Sequence, residues 1–195
     1  MKNKIWEQSS VLQRDLEQIA ASDQIDWELL AGKSVFITGA TGLLGSLLAR
    51  GIISASQARN LKVKVLAFVR NEEKAKLQFA NYMQDGLEIV TGDIGQPIRY
   101  DGAVDYIFHT ASVTASKEFV DRPVETILTT FQGTEHVLKF AKEKRVSGMV
   151  YLSSMEAYGV VDAQHYNVRE TDYGYIDPLQ VRSSYSESKR MAEGL

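Results

Sequence analysis

The chain has 195 residues, of which 44% are hydrophobic and 24% are charged, and its formal net charge at pH 7 is −3. This composition is ordinary for a soluble globular protein, and the length is sufficient for one sizeable α/β domain. The absence of a basic block argues against a nucleic-acid partner. The chain has no cysteine, which excludes disulfides and thiolate chemistry, and its three histidines lack metal-site spacing. We therefore expect no metal site.

No stretch has the features of a membrane span or of a signal peptide. The apolar runs are shorter than a bilayer requires, and the N-terminal residues contain no hydrophobic signal core. We therefore expect a cytoplasmic protein with no membrane partner.

Residues 1–31 precede the first predicted core strand and form an N-terminal helical arm in our reading. Apolar residues recur there at helical spacing, namely Val11, Leu12, Leu16 and Ile19. This pattern predicts an amphipathic helix from about Ser10 to Ala21. The arm could bind a partner, cap a substrate or pack on its own domain, and we favour packing.

A glycine-rich turn follows the first predicted strand, Val35–Thr38. Gly39, Gly42 and Gly45 are three residues apart, and a leucine-rich helix then runs to about Ser54. This order is typical of a dinucleotide-binding turn. The first glycine permits a sharp turn, the second the approach of a pyrophosphate, and the third close helix packing. The helix N-terminus would attract the phosphates; a tight turn without a ligand is the alternative.

The second predicted strand, Leu61–Val69, ends at Arg70, where the adenosine ribose of a dinucleotide would lie. An acidic residue there would bind the ribose 2′-OH, whereas a guanidinium suits a 2′-phosphate. The arginine therefore favours NADP over NAD, and an ordinary surface arginine is the alternative.

Two further strand ends carry candidate cofactor ligands. A helix over Glu72–Met83 and a strand over Leu87–Val90 precede Asp93, which could accept a bond from the adenine amino group or serve as a capping residue. A fourth strand, Val104–Phe108, ends in the small residues Thr110, Ala111 and Ser112, against which the nicotinamide half could lie. We interpret the preceding His109 as a packing residue.

The last third of the chain contains two predicted helices and one strand. The helices cover Pro123–Lys144 and Arg182–Leu195, the strand covers Met149–Ser153, and a long polar connection covers 159–181. Strands and helices thus follow one another along the chain, which is typical of an α/β domain. We assign residues 32–195 to this one domain.

Tyr185 and Lys189 are four residues apart on the last predicted helix, so both side chains lie on one face. A neighbouring ammonium stabilises a phenolate and lowers the pKa of a tyrosine. Tyr185 could then move a proton to and from a substrate hydroxyl. Ser154, just beyond the fifth strand, could hydrogen-bond the same hydroxyl. A solvated helix face is the alternative for the pair taken alone.

Five motifs in order resemble the extended short-chain dehydrogenase/reductase family, of the NAD-dependent epimerase/dehydratase type that acts on nucleotide sugars. The motifs are Thr38–Gly45, Gly92–Ile94, His109–Ser112, Leu152–Gly159 and Tyr185–Lys189. The resemblance extends from about Lys33 to the last residue, and it implies a doubly wound parallel sheet of the Rossmann type that holds NAD(P).

The resemblance implies a catalytic set of Ser154, Tyr185 and Lys189. Glu156 matches a position where the dehydratase and decarboxylase branches carry glutamate, although Met155 replaces the aspartate that usually precedes it in dehydratases. The implied cofactor is NAD(P), and we lean to NADP. The implied cofactor-binding residues are Gly39, Thr41, Gly42, Leu43, Leu44, Gly45, Arg70, Asp93, Ile94, Thr110, Ala111, Ser112, Tyr185 and Lys189.

The implied chemistry is hydride transfer from C4 of a nucleotide sugar, through a transient 4-keto intermediate. The family often dimerises through the helices represented here by 123–144 and 182–195, and it continues into a C-terminal substrate region, so we expect an N-terminal portion, and its inactivity when it is alone stays open. Two alternatives stay open: an NADP-binding module without turnover, acting as a regulatory or assembly subunit, and an NADP-dependent reductase of a small carbonyl compound.

Overall fold

The computed structural model describes residues 9–162 and 167–195. Within these residues, an α-helix follows each of the first two strands and two α-helices follow the fourth, as in βαβ units, whereas no α-helix separates the third strand from the fourth. The strands are β1 Ser34–Thr38, β2 Lys64–Val69, β3 Leu87–Thr91, β4 Tyr106–His109 and β5 Gly148–Tyr151. The helices are α1 Ser10–Ala21, α2 Leu43–Arg59, α3 Glu72–Gln78, α4 Ser116–Asp121, α5 Pro123–Lys144 and α6 Ser183–Glu193.

The strands form one sheet in the order β3-β2-β1-β4-β5, and the pairs β1–β2, β1–β4 and β2–β3 are parallel. This is the predicted doubly wound sheet, with the first strand at its centre. All five residues of β1 are buried, as expected for a central parallel strand covered on both faces. Because parallel strands end at the same edge, the residues after β1, β2, β3 and β4 share one edge of the sheet.

The chain divides into two compact units. The first unit contains the described residues up to Asp93, with Arg99–Ala111 and Ala141–Val150. The second contains Ile94–Ile98, Ser112–Phe140 and the described residues of Tyr151–Leu195. The glycine turn therefore belongs to the first unit, and the Tyr185 helix belongs to the second.

The predicted N-terminal helix is confirmed, and it packs on α2. Its buried face is formed by Leu12, Leu16 and Ala20, whereas Val11 and Ile19 are 55% and 39% exposed. The predicted face was wrong at Val11, whereas Ile19 lies at the edge of the contact, beside Gly51 of α2. The Arg59 side chain donates to the Ala20 carbonyl at 2.9 Å, which ties the end of α1 to the end of α2.

Several element ends differ from prediction for local backbone reasons. The glycine-turn helix continues past Ser54 to Arg59 and ends at Asn60, whose φ of 54° lies in the left-handed region. Lys62 also has positive φ, so β2 begins at Lys64 rather than at Leu61. The helix predicted over Glu72–Met83 ends at Gln78.

The predicted helix Pro123–Lys144 is confirmed, and the last helix is Ser183–Glu193 rather than Arg182–Leu195. The short helix α4 was not predicted. The connection 159–181 contains an antiparallel bridge between Val160 and Tyr175, and its residues 163–166 lie outside the described residues. Within residues 9–162 and 167–195, no helix combines the length and the hydropathy needed to cross a bilayer.

Candidate active site

The glycine turn has the backbone of a phosphate-binding turn. Gly39 has a φ of +65°, which glycine adopts without strain, and Gly42 caps α2 with its amide donating to the Gly39 carbonyl at 2.8 Å. A Cβ at Gly45 would lie 2.5 Å from that carbonyl oxygen and 2.8 Å from Oγ1 of Thr110. Substitution at Gly45 would therefore collide with the turn itself.

The first turn of α2 offers amide donors for an anion. The N-cap Gly42 has no side chain to accept from the helix N–H groups, which cannot pair within the helix. Leu43 and Leu44 are 72% and 56% exposed at this end, and Thr41 is half-buried. These residues fit the pyrophosphate of a dinucleotide by their donors and by the dipole of the helix.

The ends of β1 and β4 are joined by one buried hydrogen-bond network. The Thr38 hydroxyl accepts from the amides of Thr110 and Ala111, both at 3.1 Å, and lies 2.8 Å from Nδ1 of His109. A hydroxyl has one proton and two lone pairs, so Thr38 donates to Nδ1, and we assign His109 the neutral tautomer protonated at Nε2. The histidine is 2% exposed and holds the turn, as its interpretation as a packing residue predicts.

The candidate adenosine ligands follow neighbouring strands. Arg70 follows β2 and Asp93 follows β3, and both residues are exposed at the carboxyl edge of the sheet. Asn71 caps α3 by accepting from the Lys74 amide at 2.8 Å, which fixes the backbone next to Arg70. Ile94 belongs to the second unit, where it is buried and its carbonyl lies 2.9 Å from Nδ1 of His136.

Tyr185 has a buried ring whose hydroxyl has no hydrogen-bond partner among the described residues. Its ring stacks on Phe119 of α4, with centroids 4.2 Å apart and planes 5° apart. Ser184 strengthens this contact by donating to the Phe119 carbonyl at 2.9 Å. The phenol is thus held rigidly while its oxygen is available to a ligand.

Lys189 is a buried cation held against the end of β5. Its Nζ donates to the Leu152 carbonyl at 2.7 Å and lies 4.6 Å from the Tyr151 ring centroid and 5.9 Å from that of Tyr185. Burial lowers the pKa of Lys189 to about 8, and the Glu193 carboxylate opposes that shift. Burial also raises the pKa of Tyr151, so this phenol stays neutral.

Ser154 and Glu156 lie at the start of a 3₁₀ turn, Met155–Tyr158, which follows β5. The Ser154 hydroxyl accepts from the Glu156 amide at 3.2 Å, so its own proton is free to point elsewhere. The Glu156 carboxylate accepts two bonds from Arg182, at 2.8 and 3.0 Å, and one from Ser186 at 3.1 Å. The bonds from Arg182 and Ser186 lower the pKa of Glu156, which favours the ionised form.

The predicted site residues thus fall into two groups. The first unit holds Gly39, Thr41, Gly42, Leu43, Leu44, Gly45, Arg70, Asp93, Thr110 and Ala111, and the second holds Ile94, Ser112, Ser154, Glu156, Tyr185 and Lys189. Sequence reasoning missed Tyr151, Arg182 and Glu193. The i,i+4 spacing of Lys189 and Glu193 was the one available signal, because the other partners come from distant segments.

Among the described residues, no group of three His, Asp or Glu side chains could hold a metal ion.

Residues 35–195 match the sequence profile of the NAD dependent epimerase/dehydratase family. The chain belongs to this family.

Relatives in the epimerase/dehydratase family include UDP-glucuronic acid decarboxylase 2 of Arabidopsis thaliana, which is 35% identical over 167 residues. The match covers 84% of this chain and 35% of the decarboxylase. The chain spans between about a third and just under half of the length of the curated relatives it matches.

Solved structures with the same fold include the enzyme WbmH of Bordetella bronchiseptica in complex with NAD+. The identity is 26%, the TM-score is 0.63, and the match covers 83% of this chain and 50% of that one. ADP-L-glycero-D-manno-heptose-6-epimerase of Helicobacter pylori is 25% identical with a TM-score of 0.63, and covers 89% of this chain and 52% of the epimerase.

Proposed function

We propose that the protein is an NAD(P)-dependent oxidoreductase of the epimerase/dehydratase type that acts on a nucleotide sugar through a transient 4-keto intermediate. The observation that carries the proposal is the second unit's triplet: a buried phenol with an unpartnered hydroxyl, a buried ammonium on the same helix face, and a serine at the end of β5. The names of the relatives supply the substrate class, since they include UDP-glucuronic acid decarboxylases and a heptose epimerase.

The cofactor would be held by the first unit. Backbone donors at the start of α2 would bind the pyrophosphate, and the tight turn at Gly39 and Gly45 would keep those donors in place. When bound, a nicotinamide dinucleotide accepts a hydride and returns it. Thr110 and Ala111 are fixed by Thr38, so they would offer a rigid backbone surface to the cofactor.

The protein's own residues would handle the proton. Tyr185, as the phenolate, would accept the proton of the sugar C4 hydroxyl, and Ser154 would orient that hydroxyl by a hydrogen bond. Lys189 would stabilise the phenolate by its charge. Glu156 would act as a carboxylate and not as a proton donor, because its bonds to Arg182 and Ser186 favour the ionised form.

Arg70 supports a preference for NADP. The guanidinium is exposed at the end of β2, next to the fixed Asn71 cap, and it would bind a 2′-phosphate through charge and paired donors. An Arg70→Ala variant should lose affinity for NADPH about tenfold, or ~1.4 kcal/mol, and should bind NADH unchanged. Equal losses for both cofactors, or none for NADPH, would refute this preference.

Turnover of a nucleotide sugar tests the proposal. The chain would be incubated with NAD+ or NADP+ and UDP-glucuronic acid or a UDP-hexose, with products identified by NMR and reduced nicotinamide followed by absorbance. We expect product from wild type and a loss of about 10²-fold or more in Tyr185→Phe, with cofactor binding retained by both.

Two other outcomes would select the alternatives. Cofactor binding without turnover of any nucleotide sugar would contradict the enzymatic proposal and favour a dinucleotide-binding module. Reduction of a small ketone or aldehyde with NADPH, in the absence of sugar turnover, would favour a carbonyl reductase.

A further inference from the structure

Lys189 is buried, and burial disfavours the charged form of its amine. The residue is 3% exposed, and an ammonium has three N–H donors. The structure describes one hydrogen bond from Nζ, to the Leu152 carbonyl. A buried lysine loses its proton readily unless neighbouring groups favour the charged form, so the environment of Nζ decides whether it is a cation near neutral pH.

The end of β5 and the face of α6 meet at three successive residues. The Tyr151 ring lies under Nζ, the Leu152 carbonyl accepts from it, and the Ser153 hydroxyl donates to the Glu193 carboxylate. Glu193 is one helical turn after Lys189, so both side chains lie on the face of α6 that meets this strand end. The serine thereby fixes the exposed carboxylate at this strand end, next to the residue whose carbonyl accepts from Nζ.

We propose that Glu193 is a positioning residue for the proposed reaction: held by Ser153, its carboxylate favours the charged form of the buried Lys189 ammonium beside Tyr185. The role of Glu193 in the reaction rests on the proposed function. The electrostatic claim itself stands on the geometry of the strand end and the helix.

The titratable groups that face Lys189 come from both elements packed around it. Tyr151 contributes from the strand end, and Tyr185 and Glu193 contribute from α6 itself. Among these groups Glu193 contributes a carboxylate, and burial raises the pKa of Tyr151, which keeps that phenol neutral. Removal of that charge should therefore act on Lys189 more than any other single change in this set.

The test is the pKa of Lys189 in Glu193→Gln, measured by NMR on protein labelled at the lysine ε-carbon. The resonance is assigned by its loss in Lys189→Met. We expect the pKa to fall below the wild-type value of about 8, and Ser153→Ala, which frees the carboxylate, should shift it in the same direction by less. Glu187→Gln on the same helix is the matched control and should leave the pKa unchanged.

An unchanged or raised pKa in Glu193→Gln would overturn the proposal, as would an equal shift in Glu187→Gln. The NMR titration needs neither cofactor nor substrate, so its result is independent of whether the protein turns over a nucleotide sugar. In an active protein, the alkaline limb of the pH–rate profile should move to lower pH in Glu193→Gln. A purely structural role would lower the rate at every pH without moving that limb.

Discussion

At the scale of single residues, the glycine turn depends on the close approach of Gly45 to the backbone, and the Tyr185–Lys189 pair depends on the burial of Lys189. Gly45 touches the turn so closely that its lack of a Cβ determines the geometry of the turn. Lys189 is a cation whose pKa is lowered to about 8 by burial. Each property can be tested by a substitution that has a control elsewhere in the chain.

Gly45→Ala should destabilise the first unit by about 2 kcal/mol, because the new Cβ would lie 2.5 Å from a backbone oxygen that cannot move aside. Gly51→Ala in the same helix is the control. A Cβ there would meet only the Ile19 side chain at 3.5 Å, so it should be neutral or stabilise by up to about 1 kcal/mol through helix propensity. Urea denaturation measures both; equal effects would contradict the packing described.

The pH dependence of stability should show the buried Lys189. Its folded pKa of about 8 lies below the unfolded value near 10.5, so between these values the unfolded chain binds more protons. Stability attributable to this residue therefore rises with pH from about 8 upward. The free energy of unfolding of wild type relative to Lys189→Met should increase between about pH 7 and pH 9.5. A flat or falling difference would show that the amine is not buried as described.

At the scale of elements, the sequence predicted order and type better than ends. Strict periodicity predicted α1 and α5 with their observed bounds, and the apolar runs predicted all five strands. Ends that depend on single left-handed residues, such as Asn60 and Lys62, were not predictable from periodicity. The short helix α4 has too few residues for a periodic pattern.

Pairs joined across long sequence separations were also beyond prediction. The network of Thr38 with the residues after β4 depends on the register between β1 and β4, 71 residues apart. The bond between Glu156 and Arg182 spans 26 residues and requires the 3₁₀ turn to meet the start of α6. The Tyr185–Lys189 pair was predictable because its spacing is local.

The contact between α4 and α6 makes a prediction about packing. Phe119 is 2% exposed and stacks on Tyr185, so Phe119→Ala should cost about 3 to 4 kcal/mol. Phe119→Leu keeps most of the apolar volume and should cost less than about 1.5 kcal/mol. Thermal or urea unfolding measures the two variants, and losses of equal size would contradict the prediction, because the apolar volume that leucine retains would then contribute nothing.

At the scale of the whole molecule, the implied homodimer through α5 and α6 stays a prediction. Val124 and Leu128 on α5 are 61% and 43% exposed, while the threonines at 126, 130 and 134 bond back along the opposite, buried face. Exposed apolar side chains on one helix face suit a partner helix. Leu128→Lys should convert a dimer into a monomer in light scattering, whereas Leu77→Lys, at a leucine on α3 that is 68% exposed, is the matched control and should leave the dimer intact; a monomeric wild type would contradict the prediction.

The account depends most on a nicotinamide dinucleotide bound at the turn between β1 and α2. The most direct measurement is a titration of the chain with NADPH and with NADH, followed by nicotinamide fluorescence. We predict saturable binding of at least one cofactor below about 1 mM, with NADPH the tighter of the two. Failure of both cofactors to bind at millimolar concentration, in protein shown to be folded, would contradict the account.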